Sequence, residues 1–574
     1  MNRFVKYFAA VILIGLGPMS PDMDGQSRYD TAYTEIAKRF PENVVVFTDR
    51  TLYAVNEVIQ FTALLQSEEK PYRGPGSSVL YIELVDPAGN GIVKSKYPIE
   101  DNHSSGQLPI PSNLTTGMYY LRCYTRWMRN FGASSFSYVP LRIVNPFSRI
   151  LQEDHSGTEN SRLIAVPEGE NGIEVTPART VYGMQETADV EFSLKGGMEG
   201  EVQHACLTIV PVGAADSSIC TYRVEATSHP HSSFQFNFLP EPEGVTLSGV
   251  VYEQNSTVPV SGIGLHFTLL GAKPGYFVTQ SDQHGRFQVK TPHRIGTQEL
   301  LVIPEMQSGA EVDVQVDNDF AADPLPFYPA TLDLSGRELE TASRVSLNMQ
   351  LQRAFLADLA PEQGTDLTAT ETIPFYGNPE FTLRVDDFIN LPTLEEIVEN
   401  LIPRTYVIRR GNEVNFSIKG DHPMLSLFPP LLLIDYVPVF DAEAFLSIPP
   451  SKIDRIDVVP EAYVLGDMKF GGIISLTSIQ GDLASIQLPA GSYFFDYTGF
   501  QPALIQKDPV YTDGGKIPDT RNTLLWKEHF TLYQDSRYRE SFRTSSLPGT
   551  YLILIRGVLS DGTPVWGSSH FKVE

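Results

Sequence analysis

Catalysis and ligand binding need nucleophiles, carboxylates or imidazoles that converge on one point, and this sequence offers few such constellations. His229 and His231 flank Pro230 and are of the right type for a metal, since imidazoles are common ligands. Pro230 and the neighbouring serines equally suit a solvated loop with no ion. Asp313, Asp317, Asp319 and Asp323 supply the oxygen ligands that Ca²⁺ takes. Their spacing matches no known calcium loop, and an acidic linker has the same composition. Asp435, Asp454 and Asp457 lie on or beside apolar strands, where paired carboxylates could serve as acid and base. Gly-x-Ser-x-Gly, His-Glu-x-x-His and phosphate-loop patterns are missing. No catalytic, cofactor-binding or metal-ligating residue is expected, and the chain is read as a non-enzyme that needs no cofactor.

The three cysteines are Cys123, Cys206 and Cys220. A turn centred on Gly213 would make Cys206 and Cys220 cross-strand neighbours, at a distance a disulfide bridges when the pair is a close one. An oxidising compartment favours that bond, and two buried free thiols are the alternative. Cys123 alternates with Tyr119 and Leu121 and reads as a core residue.

The elements that must position these groups are mostly strands. With 42% hydrophobic and 20% charged residues, the chain has enough apolar surface to fill several cores. Its length of 574 residues suits roughly four domains of ~100–200 residues each. Gly (44) and Pro (42) are plentiful beside many Tyr, Phe, Val and Thr, a mix that suits short strands joined by tight turns. A net charge of −26 repels phosphate backbones and excludes nucleic acid as a partner. Arg3 and Lys6 precede the apolar run 8–16, with Gly17 and Pro18 after it, the pattern of a secretory signal peptide. Cleavage is expected between Ser20 and Gln26, which removes about residues 1–25. A buried N-terminal helix is the competing reading. No Cys follows the run to carry a lipid, and no later stretch reaches the ~20 apolar residues of a spanning helix. The mature chain is expected outside the cytoplasm, in the periplasm or associated with the outer membrane or cell surface, with no transmembrane segment.

Several strands at short spacing occupy 41–150, which predicts a β-sandwich. Leu80, Ile82 and Leu84 alternate with Tyr81, Glu83 and Val85, a period of two. Thr48, Asp49 and Arg50, then Tyr53, Asn56 and Glu57, run into the apolar strand 58–61. That opening resembles the MG2 domain of alpha-2-macroglobulins, with Asn56 in place of the usual Gly; Asn also holds a left-handed turn. The rhythm from Leu108 to Tyr119 fits the same family. Residues 170–242 resemble a second, weaker macroglobulin-like sandwich. Alpha-2-macroglobulins trap proteases through a Cys–Gln thioester, and none of the three cysteines has its Gly-Cys-Gly-Glu-Gln setting. Residues 243–316, with Gly249 before a strand and Asp282, Gly285 and Phe287 at a hairpin turn, resemble a carboxypeptidase regulatory-like domain, another small sandwich.

Residues 317–372 read as a linker, with a short helix at 351–359. Leu394, Ile397, Val398 and Leu401 then mark one face of a helix, capped by Thr393 with Glu396 and ended by Pro403. Apolar strands at 430–438, 453–459 and 472–477 follow. Within 373–482 that order resembles the plug domain of TonB-dependent receptors, although Tyr436 stands where the family has Gly. The resemblance implies a structural role for Asp435, Asp454 and Asp457. Only about 100 residues follow, too few for the receptor barrel. Residues 483–574 look macroglobulin-like again. The whole order resembles a family of Bacteroidetes envelope proteins, and Thr31, between Asp30 and Ala32, matches their short O-glycosylation motif. Together these features predict a mainly β, non-enzymatic envelope protein that binds or scaffolds other components, including docking on a separate outer-membrane β-barrel. The alternative is a peptide- or glycan-binding accessory to TonB-dependent uptake.

Overall fold

The computed structural model describes residues 42–67, 76–152, 163–165, 171–196, 201–215, 222–224, 237–271, 273–305, 311–332, 334, 336–355, 362–363, 374–387, 391–411, 413–420, 422–466, 468–489, 491–502, 504–505, 518–534, 536–560 and 562–574. The predicted signal segment, Thr31, Cys220, His229 and His231 lie outside them. The architecture is mainly β, with several separate sheets, as the composition predicts. Among the described residues, no helix is long and apolar enough to cross a membrane.

The first sandwich faces two sheets. One contains strands Glu42–Thr48, Val58–Ser67 and His103–Pro109. The other orders Gly91–Pro98, Val79–Val85, Gly117–Tyr124 and Ser137–Val144, and continues into Tyr222–Val224 and Leu163–Ala165. The alternation in Val79–Val85 predicts one buried face, yet every residue of the strand is buried. The reason is a strap, residues 317–332, laid over the outer face. Phe320 packs edge-on against Tyr81, and Phe327 against Tyr120 and Tyr138. Backbone amides of Ala321 and Ala330 donate to the hydroxyls of Tyr124 and Tyr120 at 2.7 and 2.8 Å. This part of the expected linker is a packed element of the first sandwich.

The second sandwich joins distant parts of the chain. Strand Ile173–Pro177 pairs with Thr187–Leu194, which pairs in turn with Tyr538–Arg543. Val202–Pro211 lies between Leu525–Leu532 and Gly549–Val558, with Pro564–Val573 beyond. The expected separation of 170–242 from 483–574 is therefore corrected. Residues 171–211 supply too few strands to close two facing sheets, and the C-terminal strands complete both. Their shared core includes Val190, Phe192 and Ile209 from one part, and Phe542, Ile553 and Phe571 from the other.

Residues 246–316 form the third sandwich, completed by Tyr493–Thr498, which pairs with Thr297–Pro304. Gly249 is required there: a Cβ would lie 2.1 Å from the carbonyl oxygen of Gln315. The fourth unit is a mixed sheet ordered Phe381–Arg384, Ile453–Val459, Ile473–Ser478, Leu431–Ile434 and Val437–Pro438. Its helix, Leu394–Leu401, has the Thr393 hydroxyl accepting the Glu396 amide, as the sequence predicts. Asp435 (φ 49°) and Tyr436 (φ 66°) make a left-handed turn, a conformation that costs a residue with a Cβ more than it costs Gly. The Tyr436 ring lies nearly parallel to Tyr376, an aromatic contact that offsets the backbone cost.

A helix expected at 351–359 instead spans Arg337–Phe355. Ala342, Val345 and Met349 pack on Leu52, Ala54 and Val144 of the first sandwich. Contact with that sheet, rather than local pattern, fixes the helix.

Phe571→Ala should lower stability by about 3–5 kcal/mol, because its ring is fully buried between the two halves of the second sandwich. Denaturant titration should show the loss, and protease sites in 171–211 and 525–573 should open together.

Candidate functional site at the junction of the sandwiches

The turn that opens the first sandwich is a junction between modules. Arg50 is almost fully buried, a position its charge tolerates only with partners. Its Nη1 donates to Glu57 Oε2 at 2.9 Å, its Nε to Asp49 Oδ2 at 3.2 Å, and the guanidinium lies over the Tyr53 ring. Burial opposes the charge, but Glu57 and Asp49 together outweigh it and hold the guanidinium above its usual pKa. The Tyr53 hydroxyl donates to Asp49 Oδ1 at 2.6 Å, and the Ala54 amide to Glu57 Oε2 at 2.6 Å. Asn56 takes a left-handed φ of 66°, the conformation its replacement of Gly predicts.

The same residues reach the second sandwich and the helix. The Thr523 hydroxyl donates to Asp49 Oδ2 at 2.6 Å, and Thr208 to the Asp49 carbonyl at 2.8 Å. Asn522 Nδ2 donates to Glu57 Oε1 at 2.8 Å and to the Val345 carbonyl at 3.0 Å, while accepting from Asn348 at 2.7 Å. Arg556 Nη2 donates to the Thr48 carbonyl at 2.5 Å. One polar cluster thus ties together three elements far apart in sequence.

A second cluster fixes the strap and the third sandwich. Arg122 is fully buried, paired with Glu83 at 2.9 Å, and donates to the carbonyls of Ala321 and Asp323. Lys96 pairs with Asp319 at 2.5 Å and also donates to the Thr498 carbonyl. Arg126 donates to the Thr246 carbonyl at 2.5 Å, with Glu241 at 3.7 Å. Glu241 accepts from the Tyr81 hydroxyl at 2.9 Å and the Thr246 amide at 2.6 Å. Burial pushes the Glu241 carboxyl up to about 7, against the pull of Arg126 and these hydrogen bonds.

The predicted acidic candidates bond to separate partners. Asp313 accepts the Asn255 amide, Asp317 the Ser248 hydroxyl, and Asp319 pairs with Lys96. Asp435 pins the amides of Ser478 and Leu483. Asp457 accepts from Tyr376 and Thr382, while Asp454 on the same strand is exposed. Among the described residues, no group of three His, Cys, Asp or Glu side chains is placed to hold a metal ion. Cys206 is a buried free thiol, and both flanks of its strand are taken by Leu525–Leu532 and Gly549–Val558. Cys123 is also free and buried.

Sequence reading missed a trio of histidines, His103, His204 and His529, whose rings meet where the first and second sandwiches face each other. They lie on three strands from distant parts of the chain, so no local spacing marks them.

No protein family matches the chain, and no curated protein does. Among solved structures, it is similar to Salmonella alpha-2-macroglobulin reacted with methylamine, with 11% identity and a TM-score of 0.23, over 93% of this chain and 39% of that one. The native E. coli alpha-2-macroglobulin is similar at 10% identity and TM-score 0.23, over 93% and 40%. Dimeric latent PorU from Porphyromonas gingivalis is similar at 9% identity and TM-score 0.16, over 48% and 33%. The chain spans about two fifths of the length of these macroglobulins.

Two outcomes are expected. Glu57→Ala leaves a buried cation short of its partner and should cost about 3–5 kcal/mol by denaturant titration, whereas Arg50→Met with Glu57→Leu should cost much less. The stability due to neutral Glu241 should be full below pH 4.5 and be lost as pH rises through about 7. Glu241→Gln should flatten that slope in thermal melts across this window.

Proposed function

We propose that this chain is an exported, non-enzymatic protein of the cell envelope whose rigidly joined β-modules bind or brace a protein partner. The carrying observation is where the buried charge goes. Arg50, Arg122, Lys96 and Arg126 reach across module boundaries to partners 120 or more residues away in sequence, or to carboxylates that touch such partners. Such groups are costly to bury and hold one relative arrangement of the modules. A fixed arrangement suits a protein that presents a surface of set shape, because less ordering entropy is lost when a partner binds.

The fourth unit, with its plug-like order of helix and strands, is the proposed docking element for a separate outer-membrane β-barrel. It has a core of its own around Ile397, Phe445 and Ile474, and Leu427 and Ile479 are exposed large apolar residues on it. Export is supported by the predicted signal peptide.

The test is affinity purification of the tagged chain from gently solubilised envelopes of its native host, with and without crosslinker. A β-barrel protein should be recovered in near-equal amount, and should be lost when a short linker replaces residues 374–487. Recovery of the chain alone in both conditions contradicts the docking role.

A further inference from the structure

His103 belongs to strand His103–Pro109 of the first sandwich, His204 and His529 to strands Val202–Pro211 and Leu525–Leu532 of the second. The rings of His103 and His204 are nearly parallel, 7° apart, with centroids at 5.6 Å. His529 lies 4.4 Å from His103 and 5.0 Å from His204. A bulge between Val202 and Ala205 breaks the ladder at His204, and bulges re-aim side chains. Beneath the rings, Val45, Phe47 and Leu64 of the first sandwich pack on Cys206 and Val558 of the second. The trio therefore sits at the rim of an apolar inter-module face.

Among the described residues no group of three His, Cys, Asp or Glu side chains is placed to hold a metal ion, and the trio is not read as a metal cage. The Thr62 hydroxyl lies 2.7 Å from His103 Nε2. His204 Nδ1 is buried with no hydrogen-bond partner. The nearby acid is Asp101, which faces His204 and favours its charged form; the groups acting on His103 are the other two histidines.

We propose that these three histidines form an acid-operated latch: their rings pack together and close the face between the first and second sandwiches, and mild acid loosens it by protonating His103 and His204. Imidazolium charges on His103 and His204, with ring centroids 5.6 Å apart in a half-buried site, repel, and the rim opens to hydrate them. Burial, reinforced by the neighbouring imidazoles, pushes His103 and His204 down from 6.5 to about 4. The folded state thus prefers neutral rings. Stability from the stack is full above pH 6.5 and is lost as pH falls toward 4, the opposite sense to Glu241 at the third sandwich. Acid should loosen the second sandwich from the first while the third stays fixed.

The test reads exposure of Cys206, which the latch covers. The folded full chain is labelled with 4,4′-dithiodipyridine, which reacts in acid, at pH 7.5 and pH 5, and each cysteine is followed by peptide mass spectrometry. Rates are normalised to the urea-unfolded chain at the same pH. Cys206 labelling should rise by about tenfold or more at pH 5. The rise should shrink in His529→Gln, whose site is exposed, and vanish in the His103→Gln, His204→Gln, His529→Gln triple variant. Glu241→Gln should leave it unchanged. If the triple variant does not fold, His529→Gln alone decides. No rise in the native sequence, or an equal rise in the variants, overturns the latch. So does a thermal stabilisation by Zn²⁺ at pH 7.5 that the variants lose, which would make the trio a metal site.

Discussion

A buried guanidinium has to be matched with carboxylates, and at Arg50 that requirement organises the junction on which the architecture rests. Glu57 and Asp49 meet its charge from within one turn of the first sandwich. Those carboxylates have lone pairs left over, and the donors that satisfy them come from Asn522 and Thr523 of the second sandwich. Asn522 in turn bonds the helix Arg337–Phe355 through Val345 and Asn348. Each group is tolerable in the interior only because the next is present. A shift of the second sandwich would take the Asn522 and Thr523 donors away from these buried carboxylates.

The same logic governs the other face of the first sandwich. A sheet with Glu83, Lys96 and Arg122 pointing outward would ordinarily be solvated, but the strap covers them and supplies carbonyls and Asp319 as partners. Aromatic packing of Phe320 and Phe327 provides the apolar area that offsets desolvation. Of the acidic side chains between 313 and 323, Asp319 joins modules through Lys96, whereas Asp313 and Asp317 bond within the third sandwich.

Much of the local structure was legible from sequence because it rests on short-range physics. Thr393 and the apolar stripe from Leu394 to Leu401 define a helix by cap and period, and Asn56 marks a left-handed turn by residue type. What was not legible depends on contacts between distant segments. The partners of Val202–Pro211 are more than 300 residues away. The helix Arg337–Phe355 shows a thin apolar stripe that acquires meaning only against Leu52 and Ala54. The second buried face of Val79–Val85 depends on a strap 240 residues later, which composition alone makes look like a linker. The histidine trio follows the same rule.

Hydrogen bonds to the buried Asp49–Arg50–Glu57 cluster fix the first and second sandwiches in one arrangement. The most direct measurement is the distance distribution between spin labels at Asn113→Cys and Lys572→Cys, both exposed and one on each sandwich, by double electron–electron resonance at pH 7.5. A single narrow distance is predicted, broadening when Glu57→Ala is added. A broad or multiple distribution in the otherwise unmodified chain would contradict the account.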